Sequence, residues 1–305
     1  MDEIPSRADI TRALADARHG PWLRPSHDLH GGYRWFVDVR AVSGTYPDGR
    51  PRHELFAVRD DASVAVQLTD QADLDPGDPD NTPASNVRWS PSDGQVSFIA
   101  RRWASGSVVE AGIYVAEIDY DAAGEVAGLV AQPSDPLVEA TLITVGSNVV
   151  GDIGGHDWSP DETQIVHNTA LTGGVASELT VVDLGTDNAT TFATSTYVGG
   201  VAWSPDGSKI AFGGGWDIWT IAPDGTGETR ILRRKGGRKP VNYAGPNWSP
   251  TGSHLILQGW GDILGGGRQD VYRAAADGSG KTNLTAEIDT TLGNGGTPAG
   301  PIAWR

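Results

Sequence analysis

The sequence predicts an all-β protein built from a repeated unit of four short antiparallel strands. Three observations lead to this class. The tripeptide Trp-Ser-Pro occurs four times, and the copies at Trp158, Trp203 and Trp248 are spaced by 45 residues. Each copy is followed by a turn and by alternating apolar residues, which is the pattern of two strands joined by a tight connection. Helical periodicity is nearly absent from the 305 residues, which include 41 Gly and 19 Pro.

Residues 201–212 show the first half of the unit most clearly. Pro205 presets φ for a turn, and the Asp-Gly pair that follows it contains the residues that turns tolerate best. Apolar residues alternate again from Ile210 onward, so a second strand begins there. The same pattern begins at Trp89, Trp158 and Trp248, and Trp304 begins a fifth copy.

A third strand follows each copy of this half-unit. Five segments have the required pattern, namely residues 54–57, 112–115, 178–181, 217–220 and 270–273. A turn and a fourth strand come next, as at residues 224–227 and then 229–232. The chain therefore has five third strands to match its five first strands.

A period near 45 residues with four short strands is the signature of a β-propeller blade. One blade cannot bury both of its faces, so blades stack around an axis. The Trp-Ser-Pro-Asp-Gly repeat over residues 33–305 resembles the TolB-like class of propellers, and no Gly-His…Trp-Asp pairing of WD-repeat proteins is present. The resemblance implies a fold rather than one activity, because a common fold supports many unrelated functions.

We expect a single propeller domain over residues 33–305 after an N-terminal extension over residues 1–32, with a short helix near residues 10–17. Residues 33–68 supply strands two to four of a blade, and residues 301–304 supply a first strand. Together they predict a composite closing blade and five blades in all. The TolB-like resemblance implies six blades, and this alternative takes Trp22 as a further first strand.

Composition limits the classes of partner. The net charge of −16 argues against non-specific nucleic-acid binding, which needs a basic surface. Cysteine is absent, and no apolar run reaches the roughly 20 residues of a membrane-spanning helix. We expect an extracytoplasmic location with the signal segment removed, and a cytoplasmic location is the alternative.

Propeller topology divides the connections between two faces. The turns after strands one and three are short and stereotyped here, whereas the connections after strands two and four are long and irregular. Function usually lies in variable loops on a rigid scaffold. We therefore predict the functional site on the irregular face, at the mouth of the central channel.

Three tryptophans outside the Trp-Ser-Pro repeat are candidate ligand contacts. Trp103, Trp216 and Trp260 each follow their repeat tryptophan by 12 to 14 residues, in the predicted loop after the second strand. Such side chains present a flat apolar face that stacks on sugar rings or packs against a peptide. The alternative is that each one fills the gap between neighbouring blades.

A run of five cations interrupts this acidic protein. Its members are Arg233, Arg234, Lys235, Arg238 and Lys239, in the connection that leaves the fourth strand of the Trp203 unit. Arginine forks bind carboxylates, sulfates and phosphates in bidentate fashion. The alternative is a solvated loop that balances nearby carboxylates.

Polar residues near the start of the Trp-Ser-Pro units predict a polar channel mouth. Arg88, Asp157 and Asn247 precede three of the repeat tryptophans, and His156 precedes Asp157. His156 is a candidate metal ligand or general base, although a lone histidine more often only makes hydrogen bonds. His167 stands where other units have Phe98 or Phe212, so we interpret it as a core substitution.

These features favour a non-catalytic scaffold that binds a protein segment or an anionic polysaccharide. The alternative is a carbohydrate-active propeller enzyme, a glycoside hydrolase or a polysaccharide lyase, with channel-mouth acids and His156 as its catalytic groups. Gly-x-Ser-x-Gly and His-Glu-x-x-His motifs are absent from the sequence. We expect no cofactor, and a calcium ion in the channel is the alternative.

Overall fold

The computed structural model describes 14 separate parts of the chain. They are residues 26, 30–45, 51–70, 82–104, 107–131, 138–141, 143–145, 148–150, 152–170, 178–186, 188–196, 198–236, 241–261 and 269–284. The described residues contain strands and turns and no helix. They group into two compact units, one within residues 19–153 and one that contains residues 154–284.

The first unit contains two meandering sheets and a hairpin. Strands β1–β3 form a three-stranded sheet, β4–β7 form a second sheet in which β8 also pairs with β6, and β9 pairs with β10. The strands are β1 (Trp35–Thr45), β2 (Pro51–Arg59), β3 (Ala65–Gln67), β4 (Thr82–Trp89), β5 (Gln95–Ala104), β6 (Ser107–Tyr120), β7 (Val126–Leu129), β8 (Val138–Thr141), β9 (Ile143–Val145) and β10 (Asn148–Val150).

The second unit contains three four-stranded antiparallel sheets in the strand order of propeller blades: β11–β14, β15–β18 and β19–β22. The strands are β11 (Asp152–Trp158), β12 (Gln164–Ala170), β13 (Glu178–Asp183), β14 (Ala189–Ala193), β15 (Val198–Trp203), β16 (Ile210–Gly214), β17 (Asp217–Ile221), β18 (Thr229–Leu232), β19 (Val241–Trp248), β20 (His254–Gly261), β21 (Gln269–Ala275) and β22 (Thr282–Asn283).

The described residues therefore contain five blade sheets, as predicted. Four of the five predicted third strands are the third strands of their sheets. The fifth, residues 54–57, lies in β2, the middle strand of the described three-stranded sheet. The predicted closing strand at residues 301–304 and the helix near residues 10–17 lie outside the described residues.

One strand prediction is wrong in part. The sequence predicts residues 140–145 as the outer strand of the second blade, but two separate strands, β7 and β8, pair with β6 at that edge. β6 has 14 residues and is long enough to accept both partners along one edge. Ile143–Val145 instead pairs with β10.

The polar groups of the Trp-Ser-Pro turn form hydrogen bonds with one another, which favours repetition of the motif. In the turn after β15, the Ser204 N–H donates to the Lys209 carbonyl (2.8 Å), and the Lys209 N–H donates to Ser204 Oγ (2.9 Å). Ser204 Oγ donates to Asp206 Oδ1 at 2.6 Å. Gly207 adopts φ 74°, a conformation in which a Cβ is unfavourable. These local bonds explain why the serine recurs in every copy. The acid recurs as Asp161, whereas Ser92 and Thr251 stand at that position in the other two copies.

The repeat tryptophans join neighbouring sheets of the second unit. The Trp203 N–H donates to Asp157 Oδ2 (2.8 Å), and the Trp248 indole N–H donates to the Ala202 carbonyl (3.1 Å). Trp203 and Trp248 are 6% and 7% exposed and belong to the apolar clusters between the sheets. Trp203 and Trp248 are therefore packing residues that contact the preceding sheet.

The first strands of the three sheets approach one another through glycines at the 45-residue interval. A Cβ at Gly155 would lie 3.6 Å from the Cα of Gly200, and a Cβ at Gly200 would lie 3.5 Å from the Cα of Gly245. Gly200 and Gly245 also have φ of 78° and 56°. The backbones of neighbouring first strands are therefore close together at these glycines, and the Asn168 side chain also lies 3.5 Å from the Gly155 Cβ position.

Candidate functional site

The edge of β19 that does not pair with β20 holds two other segments of the second unit. Lys235 and Val241 exchange both backbone hydrogen bonds, at 3.0 and 2.9 Å, and the Tyr243 N–H donates to the Trp216 carbonyl at 3.0 Å. Val241 and Tyr243 are two residues apart on an extended strand, which is about 7 Å. The structure thus brings Trp216 and the basic segment together at one strand edge. We call Trp216, Arg233, Arg234 and Lys235 the β19 edge site.

Trp216 lies at the tip of the two-residue hairpin between β16 and β17. Gly215 has φ 59° and Trp216 has φ 72°. Gly, Asn and Asp are the usual residues of such a turn because a Cβ is disfavoured there. The Trp216 side chain is 43% exposed, and only Val130 is a more exposed large apolar residue among those the structure describes. Trp216 is therefore a backbone outlier with an exposed indole, and outliers of this kind are candidates for a functional role.

Asp217 fixes the start of the basic segment. Its Oδ1 accepts the Arg234 backbone N–H at 2.6 Å, and its Oδ2 accepts from the Arg230 guanidinium at 3.3 Å. Asp217 itself is 8% exposed, so this carboxylate is largely enclosed by the contacts. The segment that carries the cations is therefore attached to the same strand, β17, that begins beside Trp216.

The side chains of Arg233, Arg234 and Lys235 are exposed to solvent. Within the described residues, no carboxylate forms an ion pair with any of the three. An exposed indole beside three cations suits a ligand that combines an anionic group with a flat apolar surface.

The remaining predicted aromatic and basic residues are placed differently. Trp103 lies within β5 opposite Val108, and Trp260 lies within β20 opposite Asn242 and Gln269. The prediction that both lie in loops is therefore wrong, because strands two and three of these sheets continue farther than in the β15–β18 sheet. Arg238 and Lys239 lie outside the described residues.

The predicted polar channel mouth consists of buried residues. Arg88, His156, Asp157 and Asn247 are each no more than 7% exposed. Arg88 donates to the Val87 carbonyl at 3.0 Å, and the Asp157 carboxylate accepts the Trp203 N–H. Asp157 thus links two sheets, and a ligand-binding role for these four residues stays a prediction.

His167 is a core residue, as predicted from its place in the repeat. It is 5% exposed, and its Nδ1 has no hydrogen-bond partner among the described residues. Burial lowers the pKa of His167 to about 4, because an imidazolium would lose its hydration. This histidine is therefore neutral at pH 7.

The described residues contain no group of three or more His, Cys, Asp or Glu side chains with the geometry of a metal site. A channel calcium ion therefore stays a prediction. Among the described residues, no helix is long and apolar enough to cross a membrane.

Sequence reasoning missed Asp217 and Tyr243, which position the β19 edge site. The signal for Asp217 was an acid at the first position of a third strand, directly after Trp216 and shortly before a basic run. Tyr243 had no comparable signal, because its partner Trp216 is distant along the chain and the contact is a backbone hydrogen bond.

No protein-family model matches the sequence, and no curated protein matches it. Solved structures do match. One described as a TolB protein from Agrobacterium tumefaciens has a TM-score of 0.53 and 15% identity, over 83% of this chain and 88% of that chain.

Two further solved structures are similar at lower TM-scores. An oligogalacturonate lyase in complex with manganese has a TM-score of 0.48 and 16% identity, over 86% of this chain and 72% of its own. The β-propeller domain of the Trilobed protease from Pyrococcus furiosus has a TM-score of 0.49 and 13% identity, over 89% and 72%.

The likeness to TolB agrees with the four-stranded antiparallel sheets of a β-propeller. At 15% identity the likeness concerns the fold alone. The chain has a β-propeller fold, similar to that of TolB.

Proposed function

We propose that this propeller is a non-catalytic scaffold that binds an anionic ligand, a carbohydrate or a protein segment, at the β19 edge site. The observation that carries the proposal is Trp216, whose indole is exposed while its backbone adopts φ 72°. A residue other than glycine in a sparsely populated region of φ costs stability, and such residues cluster at functional sites. The nearest candidate reason is a ligand that stacks on the indole.

The charge of the site supports an anionic ligand. Arg233, Arg234 and Lys235 are exposed on a chain with net charge −16. A local group of cations on such a protein attracts anions only at short range, because salt screens charges beyond about 10 Å at 0.1 M. The ligand therefore contacts the site directly rather than being steered to the whole molecule.

The approach of the first strands supports a binding role over catalysis. In the second unit, Gly155, Gly200 and Gly245 bring backbone close to backbone. A glycine at each of these three positions supplies no acid or base of the kind that a hydrolase or lyase needs. The enzyme alternative, with His156 as a catalytic group, stays a prediction.

Binding to immobilised anionic glycans and acidic peptides tests the proposal. We expect Trp216→Gly to lose binding, and we expect a variant with Arg233, Arg234 and Lys235 changed to Ser to bind at least about tenfold more weakly with a flatter salt dependence. Lys209→Ser is the matched control, because Lys209 is exposed in the Ser-Pro-Asp-Gly turn at the opposite end of the same sheet. Equal losses in the control and in the triple variant would remove the β19 edge site from the function.

A further inference from the structure

Ser26 makes the same pair of hydrogen bonds as the serines of the Trp-Ser-Pro turns. Its N–H donates to the Trp35 carbonyl at 2.7 Å, and its Oγ accepts the Trp35 N–H at 3.0 Å. Ser204 forms these two bonds with Lys209, at 2.8 and 2.9 Å. Ser26 is fully buried, and the four repeat serines are no more than 3% exposed. Ser26 therefore has the place of a repeat serine in the β1–β3 sheet, for which the described residues include no first strand.

The bonds of Ser26 lie on the edge of β1 that faces away from β2, which we call the β1 edge. The N–H of Asp60, directly after β2, donates to the Arg34 carbonyl at 2.9 Å, so the backbone groups of Arg34 point toward β2. Successive residues of a strand direct their N–H and C=O groups to opposite edges. The groups of Trp35 and Val37 therefore point to the β1 edge, with which no described strand pairs. In the four other blade sheets, the first strand occupies this edge.

The turn that follows Ser26 contains a small hairpin that the four shorter Trp-Ser-Pro turns lack. The His30 N–H donates to the Tyr33 carbonyl at 2.8 Å, and the Tyr33 N–H donates to the His30 carbonyl at 3.2 Å. His30 Nε2 also lies 3.1 Å from Oδ2 of the buried Asp93, which belongs to the Trp-Ser-Pro turn of the β4–β7 sheet. The hairpin therefore attaches the longer turn to that sheet, while Ser26 and Trp35 keep the hydrogen bonds of the repeat.

The residues that precede Ser26 have the pattern of the end of a first strand. Counted back from the serine, Leu23 and Arg24 stand where the sequence of β4 has Val87 and Arg88. The sequence therefore continues the match to the repeat on the N-terminal side of Ser26, where a first strand is expected.

Pro25 stands where the repeat has tryptophan, and this position tolerates proline. The Trp203 N–H donates to Asp157 Oδ2 of the preceding sheet at 2.8 Å, so it makes no hydrogen bond to β16. A proline at this position loses no hydrogen bond to the next strand, and strands accept proline only at such positions.

We propose that residues 21–25 occupy the β1 edge as the first strand of its sheet, antiparallel to β1 and with Pro25 opposite Phe36. The alternative occupant is the predicted closing strand at residues 301–304, in which Trp304 would lie opposite Phe36. Ser26 favours residues 21–25, because it makes the two bonds that the serine after the first strand makes in every copy. The β1 edge is then closed to strands of other molecules, since its backbone groups are paired within the chain. This inference concerns the first unit and does not depend on the β19 edge site.

Disulfide cross-linking identifies the occupant, because the wild-type chain has no cysteine. Pro25 and Phe36 would form a non-hydrogen-bonded antiparallel pair, whose Cα spacing of about 4.5 Å lies within the range of about 4.4–6.8 Å for a disulfide. We expect the Pro25→Cys, Phe36→Cys variant to form an intramolecular disulfide under mild oxidation. The reaction should be at least about tenfold faster than in the control Arg24→Cys, Phe36→Cys, because a shift of one residue turns the side chain to the other face of the sheet. Mass spectrometry of the digested protein identifies the linked peptides.

The competing variant is Trp304→Cys with Phe36→Cys, which should cross-link no faster than the control. Faster cross-linking of this variant than of the Pro25 variant would overturn the proposal and assign the β1 edge to the C-terminal segment. Slow cross-linking of both would also overturn it, because neither segment would then lie opposite Phe36. If either variant fails to fold, Leu23→Cys with Asp38→Cys decides, since this pair lies two positions farther along the same two strands. A fast disulfide there would support the proposal, and a slow one would overturn it.

Discussion

The turns at the two ends of the β15–β18 sheet differ in their hydrogen bonds and in the residue that adopts positive φ. At one end, the turn of residues 204–209 pairs its serine, its acid and its backbone with one another. The residue with positive φ in this turn is Gly207, for which the conformation has no steric cost. The polar groups of this turn bond to one another and need no ligand as a hydrogen-bond partner.

At the other end, the hairpin tip places positive φ on Trp216, and exposed cations lie next to it. The one enclosed carboxylate, Asp217, is engaged by Arg230 and by the backbone of Arg234. The contrast teaches that the repeated residues maintain the sheet, whereas the residues that depart from the repeat are the candidates for binding. The two classes of tryptophan, Trp203 and Trp216, illustrate this difference.

We expect the largest effect on the free energy of unfolding at the end of the sheet that carries the repeated Trp-Ser-Pro turn. Trp203→Ala removes a side chain that is 6% exposed and packs between two sheets, and it should lower the free energy of unfolding by about 3–5 kcal/mol. Urea denaturation measures this change. A loss below about 1 kcal/mol would show that the repeat tryptophan is not a packing residue.

A smaller effect of opposite sign is expected at the hairpin tip. Trp216→Gly relieves a disfavoured backbone conformation, so we expect the free energy of unfolding to stay unchanged or rise by up to about 1 kcal/mol. Trp219→Gly is the matched control in the same hairpin, because Trp219 is half-buried and its indole donates to the Gly214 carbonyl at 3.0 Å. Destabilisation of both variants to the same degree would identify Trp216 as a core residue and remove the contrast.

The smallest effect is a pH dependence at the turn end. The hydrogen bond from Ser204, together with those from the Ser208 N–H and hydroxyl, lowers the pKa of Asp206 from its usual value. A lowered carboxyl pKa adds stability above the unfolded-state value near 4, and this stability is lost as the pH falls through the folded-state value.

Asp206→Asn keeps an acceptor oxygen and removes the charge. We expect it to be less stable than wild type at pH 7 by under about 1 kcal/mol, because the group is mostly exposed. The difference should shrink as the pH is lowered from 6 to 2, in thermal melts recorded at each pH. A difference that stays constant with pH would assign the effect to geometry rather than to charge.

The fold was largely predictable because its signals are local. The Trp-Ser-Pro turns make their bonds within six residues, and alternation along a strand needs no distant partner. The prediction failed where strand length depends on neighbours, since β7 and β8 share one long partner strand. The sequence also predicted loops at Trp103 and Trp260. Both residues lie in strands, because β5 and β20 and their partner strands extend farther than predicted.

The sequence by itself determined the repeat, its turns and the presence of a basic run within an acidic chain. Only the tertiary structure decided that Trp216 and Lys235 meet at the edge of β19, because the Trp216–Tyr243 contact joins residues far apart along the chain. It also decided that Asp157 lies buried between two sheets, where its carboxylate accepts the Trp203 N–H. The physical reason is that turns and strand alternation are set by neighbouring residues, whereas exposure and strand-edge contacts depend on how whole sheets pack.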